Sequence, residues 1–248
     1  MRRVVITGLG VVSPVGIGKE VFWENLLQGH SGAINISDVN CCSLFGHHEF
    51  GAQVVCEASD FDPNTHHVPQ AYHTADRFIQ FAFAATHQAF HDSKLDQHSW
   101  DASRAGITLA TAICGTQTLD LEFTKATNYG QEGFHAEGVS PFLYFGAMGN
   151  SASLAVGAHY GLQGECSTLS TGCIGGLDAI SYAYESIAYG DHDIMLAGPV
   201  RHPLPLLPSP PLISSIVSRT TLIRPAHHAH SIRTAMALCY RKDVASWC

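Results

Sequence analysis

Apolar and polar positions along the chain alternate between short apolar runs and longer amphipathic segments, the pattern of strands alternating with helices. Residues 3–8 (RVVITG) form an apolar, β-branched run ended by glycine, suited to a strand buried on both faces. After a Gly/Pro-rich connection, residues 19–28 place Val21, Phe22, Leu26 and Leu27 at near-helical spacing and stop at Gly29, predicting a short amphipathic helix. Residues 30–72 read mostly as loop, with a strand at 52–56. Between 76 and 93, Phe78, Phe81, Ala82, Ala85, Ala89 and Phe90 trace one helical stripe, and Asp76 suits the positive end of the helix dipole. The remaining pattern predicts a strand over 105–112, a helix over 117–129 and one long, small-residue helix over about 143–159. A strand over 166–170, a helix over 176–189 ended by Gly190 and a strand over 193–197 follow. This order predicts an α/β fold with largely parallel pairing. Trp23 and the phenylalanine stripe are assigned to the core, and Asp92, Glu185 and Asp193 to solvent-facing positions.

Composition sets the class. With 248 residues, 46% hydrophobic content and 23 glycines, the chain can bury one large core. No stretch approaches the roughly 20 uninterrupted apolar residues of a membrane span, and the N-terminus turns to glycine and proline too soon for a signal peptide. A cytoplasmic protein is expected. Eight cysteines, at 41, 42, 56, 114, 166, 173, 239 and 248, show neither CxxC pairs nor a disulfide framework. A formal charge of −8 argues against nucleic acid, which calls for clustered Lys and Arg.

One stretch carries candidate chemistry. In residues 166–198 a strand runs into a sharp turn bearing Cys173 and then directly into a helix, a nucleophile-elbow arrangement. Thr171, Gly172, Gly175 and Gly176 are small enough for a tight turn and close substrate approach, and a helix N-terminus favours a thiolate. Spacing alone leaves open that Cys173 is a small buried residue that happens to precede a helix.

Three further segments carry a resemblance. RRVVITGLGVVSPVGIG followed by FWENLLQGHSGA, then DRFIQFAFAATHQAFHDS, then GLQGECSTLSTGCIGG, resemble the β-ketoacyl synthase family over nearly all of residues 1–198. The STGC spelling followed by LDAI looks closer to ketosynthase α-subunits of aromatic polyketide systems than to fatty-acid synthases. The resemblance implies a thiolase-like fold, of which this chain supplies the N-terminal half, with Cys173 as catalytic residue. It implies acyl transfer to Cys173 from an acyl carrier protein, then decarboxylative condensation with a malonyl thioester on that carrier. No cofactor and no metal is implied. A homodimer, or a heterodimer with a related ketosynthase-like subunit, is expected. The family's second step uses two histidines from its C-terminal half, and its thioester oxyanion is held by backbone N–H groups, one on the cysteine itself. A non-catalytic partner subunit, and a cysteine acyltransferase or hydrolase with the same elbow, stand as alternatives.

The histidines present do not fill that role. His202, His227, His228 and His230 fall in a glycine-free tail rather than a second glycine-rich half, and HHAH lacks the Cys or carboxylate neighbours of a metal tract. His47, His48, His66 and His67 read as loop residues. The tail also differs in composition: residues 1–198 hold all 23 glycines and a formal charge of −13, whereas 200–248 carry +5 and six of the eleven prolines. Encoding residues 233–248 with suitable codons and starting from the third base yields HRDGFVLSEGCGVVV, which resembles the family's RDGFV-SEG segment. The expected organisation is a synthase N-terminal domain over 1–198 and an atypical, out-of-frame, poorly ordered tail over 199–248. Such a chain is expected to be truncated and impaired in condensation.

Overall fold

The computed structural model describes residues 1–35, 54–128, 130–201 and 235–241. The chain opens with β1 (Val5–Ser13), which turns through a Ser13 side-chain bond to the Gly16 carbonyl (2.9 Å) into β2 (Gly16–Ile17), and continues into α1 (Lys19–Leu27). β3 (Ala33–Asn35) and β4 (Val54–Cys56) pair as a separate antiparallel ribbon. Next come α2 (Arg77–Asp92), β5 (Ala105–Ala110), α3 (Thr116–Ala126), α4 (Leu143–Ala147) and α5 (Ser151–Tyr160). β6 (Cys166–Leu169), α6 (Gly175–Tyr189), β7 (Ile194–Pro199) and β8 (Ala235–Arg241) complete the described strands and α-helices.

Six strands form one sheet in the order β2-β1-β8-β7-β5-β6. β5 pairs parallel with β6 and β7, while β8 pairs antiparallel with both β1 and β7. Hence β1, β7, β5 and β6 run in one sense, with β2 and β8 reversed. The two-residue period of β7 divides the core: Ile194 and Leu196 join α2 and α5 on one face, while Met195 and Ala197 meet Ala183 and Ile187 of α6 on the other. Helices on both faces explain why all six residues of β5 are buried. The phenylalanines of α2 anchor the larger layer, with Phe78 and Phe83 almost fully buried, Phe81 edge-on to Phe61 and Phe90 stacked on Tyr160 at 4.3 Å.

Asp76 caps α2 by accepting from the Phe78 amide (3.3 Å), as its position predicts, and also accepts from the amide (3.1 Å) and hydroxyl (2.8 Å) of Thr118 in α3. One carboxylate thus fixes two helix starts.

Several expectations are corrected. β1 does not end at Gly8 but runs on through Gly10 to Ser13, because both glycines let the α2 backbone lie directly against the strand. There the Leu9 and Val11 amides donate to Asp92 (2.9 Å) and Gln88 (2.8 Å) of α2, and Asp92 also pairs with Lys19. Asp92 is therefore a tie between β1, α1 and α2, not a solvated acid. Asp193 likewise binds Arg104 (2.8 Å) and Arg2 (3.0 Å), whereas Glu185 is exposed as expected. The single helix over 143–159 is two, broken at Met148-Gly149-Asn150. Trp23 is 56% exposed, and α1 has no buried residue: Asn25 bonds the Val15 carbonyl (2.7 Å) while Val21, Leu26 and Leu27 face outward. Beyond residue 201, where periodicity gave no element, β8 lies between β1 and β7.

The loop before α2 is held by histidine contacts. His66 stacks on Phe61 (5.3 Å) and His67 on His87 of α2 (4.1 Å). Burial pushes the imidazoles of His66 and His87 below the usual value of 6.5, reinforced by His67 for both and by His91 and His159 for His87. Asp62 and Asp96 oppose the shift at His66 and His87 respectively. The unfolded chain then takes up these protons first, so stability present above about pH 6.5 is lost as pH falls through the depressed values. Burial pushes Asp76 up, which works in the opposite sense in the carboxylate range. Melting temperature is expected to hold from pH 8 to 7 and to decline below about 6.5. In His87→Gln, melting followed by circular dichroism should show a shallower decline between pH 6.5 and 5; an unchanged slope would count against the histidine origin.

Candidate active site

The site is built at the C-terminal ends of the parallel strands, where an α/β sheet leaves a crevice. β6 is aligned on β5 through the ladder Ile107–Cys166 to Ala110–Leu169, and the Thr111 amide extends it by donating to the Leu169 carbonyl (3.0 Å). Side chains add to this register. Ser167 bonds Thr108 (2.9 Å) and Thr168 bonds Ser153 of α5 (2.6 Å), so the strand that delivers the turn is fixed from both faces.

After β6 the chain makes a 3-10 turn, Gly172–Ile174, and enters α6 at Gly175. Gly172 has φ +72°, a left-handed conformation that glycine adopts without steric cost. The start of α6 rests on two strand ends: a Cβ on Gly175 would lie 3.1 Å from the Ala110 Cβ, and one on Gly176 2.9 Å from the Pro199 ring. The Val200 amide ties β7 to β5 just behind them, donating to the Ala110 carbonyl (2.8 Å). Small residues at 175 and 176 therefore let the helix N-terminus close over the sheet, with Cys173 at the apex of the turn.

Of the cysteine side chains described, those of Cys56, Cys114 and Cys166 are half-buried and only Cys173 is exposed. This removes the buried-residue alternative for Cys173. Burial pushes the thiols of Cys114 and Cys166 up, and Cys114 donates to the Ala147 carbonyl (3.4 Å). These two are packing residues. On the C-terminal side of Cys173, Ile174 and Leu177 are exposed, and on its N-terminal side Ser170 and Thr171 are exposed. No side chain caps α6, and the acid of its first turn, Asp178, instead accepts a hydrogen bond from Thr171.

That Thr171–Asp178 bond was not visible in the sequence, where the residues are seven apart with no motif joining them. Also unforeseen was His192, buried, bonded to Ser186 (2.6 Å) and accepting from the Glu165 amide (3.1 Å), which pins the loop before β6. His47, His48, His202, His227, His228 and His230 lie outside the described residues. Among the described residues no group of three or more His, Cys, Asp or Glu converges as a metal site, and no helix is long and apolar enough to cross a membrane.

A family model described as "Beta-ketoacyl synthase, N-terminal domain" matches residues 1–209. A putative polyketide beta-ketoacyl synthase 1 from Streptomyces halstedii is 37% identical over 205 residues, covering 82% of this chain and 47% of that protein. The 3-oxoacyl-[acyl-carrier-protein] synthase 2 of Coxiella burnetii is 36% identical over 197 residues, covering 79% and 45%. The chain thus spans about half the length of the curated relatives it matches. Among solved structures, a type II polyketide synthase acyl-carrier protein in complex with its hexaketide-bound ketosynthase superposes with TM-score 0.78 at 28% identity. It is covered to 58%, and 97% of this chain is covered. The ishigamide ketosynthase/chain length factor gives TM-score 0.77 at 25% identity, with 99% of this chain and 59% of that one covered.

Proposed function

Because the chain belongs to the β-ketoacyl synthase family, we propose that Cys173 is the acyl-accepting nucleophile of a condensing enzyme of fatty-acid or polyketide assembly. The carrying observation is the exposed Cys173 thiol, set on a tight turn between β6 and the uncapped N-terminus of α6. In the first step the thiolate attacks the carbonyl carbon of an acyl thioester on an acyl carrier protein. A new C–S bond forms as the carrier's C–S bond breaks, and the departing carrier thiolate takes up a proton equivalent to the one Cys173 gave up on ionising. Backbone N–H groups at the turn are suited to the developing oxyanion. In the second step a malonyl thioester loses carbon dioxide, its carbanion bonds to the acyl carbon and the Cys173 thiolate departs. The described residues equip the acceptor step.

A ketosynthase-like partner, or a second copy, fits the same reading. Among the described strands β6 is one of the two edges of the sheet, and Phe142 and Tyr144 at α4 are about three-quarters exposed.

Incubation with an acyl carrier protein bearing an isotopically labelled acyl group, then peptide mass spectrometry, tests the proposal. Label is expected on the Cys173 peptide. A folded sample that takes no label there sinks the acceptor assignment. Steady release of free acid would indicate a hydrolase instead, and adding malonyl-carrier protein distinguishes a stalled acyl-enzyme from one that condenses.

A further inference from the structure

The Thr171 hydroxyl donates to Asp178 Oδ2 across the turn that carries Cys173. The two residues bracket it: Thr171 ends the descent from β6, and Asp178 stands in the first turn of α6. Between them lie Gly172, Gly175 and Gly176, and within the 3-10 turn the Gly175 amide donates to the Gly172 carbonyl. A glycine-rich, exposed turn has little of its own to hold one shape. The side-chain bond closes it into a ring with the thiol at the outer edge.

The charge of Asp178 has a second consequence. A carboxylate in the first helical turn is drawn to the N–H groups there, which are the groups that favour a thiolate. Here the carboxylate is held at Thr171, and no side chain occupies the cap.

We propose that Thr171 and Asp178 are positioning residues for Cys173: their bond fixes the thiol-bearing turn and keeps the Asp178 carboxylate from competing for the first-turn amides of α6. The proposal rests on the nucleophile reading for its purpose but is tested separately from it.

The second-order rate of iodoacetamide alkylation is measured by peptide mass spectrometry on the full chain from pH 6 to 9. Cys114 and Cys166 in the same digest serve as internal reporters of folding. Asp178→Asn keeps an acceptor for Thr171 but removes the charge, and is expected to speed Cys173 alkylation about two- to fivefold near neutral pH. Thr171→Val frees the charged carboxylate and is expected to slow it by a similar factor, while Thr171→Ser restores the wild-type profile. A role limited to stability would move both variants in one direction, together with Cys114 and Cys166. Same-direction shifts, or an Asp178→Asn profile that matches wild type, would overturn the proposal. If Thr171→Val exposes Cys114 and Cys166, Asp178→Asn against Thr171→Ser decides alone. Opposite shifts without acyl label on the wild type would leave the clasp standing and remove the nucleophile reading; label without those shifts would do the reverse.

Discussion

Gly10→Ala is expected to lower stability by at least about 3 kcal/mol, the top of the range for overpacking a core. An ideal Cβ on Gly10 would lie 1.8 Å from the Ala85 carbonyl oxygen and 2.7 Å from its carbon. Both atoms are backbone in the middle of α2, so no rotamer change relieves the clash; the helix must move off the strand. That movement would pull Gln88 from the Val11 amide and Asp92 from the Leu9 amide, leaving strand donors without partners. It would also disturb the layer in which Phe78 and Phe83 are buried. Against a total of about 5–15 kcal/mol for a domain, the expected loss is a large share. Urea unfolding of Gly10→Ala beside Gly133→Ala, where an added Cβ meets nothing within 4 Å, gives the contrast. Equal midpoints for the two variants would contradict the helix–strand contact described here.

The same glycines show why the sequence was legible in some places and misleading in others. A glycine closing an apolar run signals a turn, but it equally signals a backbone approaching from the side, and only the partner's position distinguishes the two. Gly8 and Gly10 belong to the second kind. The stripe of α2 was readable because Phe78, Phe81, Ala82, Ala85, Ala89 and Phe90 recur at helical spacing, and all are buried, although burial extends to every residue from 78 to 86. Small-residue segments carry no such contrast, so the break at Met148-Gly149-Asn150 left no mark in the hydropathy. In α1 the stripe was present but leads to an exposed face: Leu27 is 70% exposed, and the hairpin contact runs through Asn25 instead. Periodicity reports that a face is apolar, not what covers it.

At the site, the position of Cys173 was legible because its neighbours Thr171, Gly172, Gly175 and Gly176 are themselves the geometric requirement of the turn. What remained hidden was everything that depends on residues meeting across it. Thr171 and Asp178 approach only once the turn is folded, as do Thr108 with Ser167 and Ser153 with Thr168. Such pairs have no period and no motif, although they set how firmly the thiol is held.

Leu238→Pro is expected to cost at least about 2 kcal/mol and to broaden the unfolding transition, because proline deletes a ladder donor and cannot sit in a central strand. Residue 238 pairs with Leu9 of β1 on one side and Ala197 of β7 on the other. β8 is therefore the seam by which β1, with its hairpin, joins the parallel strands that carry Cys173. α2 and α5 bridge the same strands from one face only, through the shared apolar layer that includes Val12 and Leu196. Loosening β8 should thus free β1 from β7 before it disturbs β5 and β6. Hydrogen exchange is expected to rise first at the amides of β1 and β7 and last at β5. A tail that stays out of the fold, the organisation expected from the sequence pattern, makes the opposite prediction: Leu238→Pro would melt with the wild type and leave every strand protected. The sequence pattern and the sheet pairing assign residues 235–241 opposite roles, and this one substitution separates them.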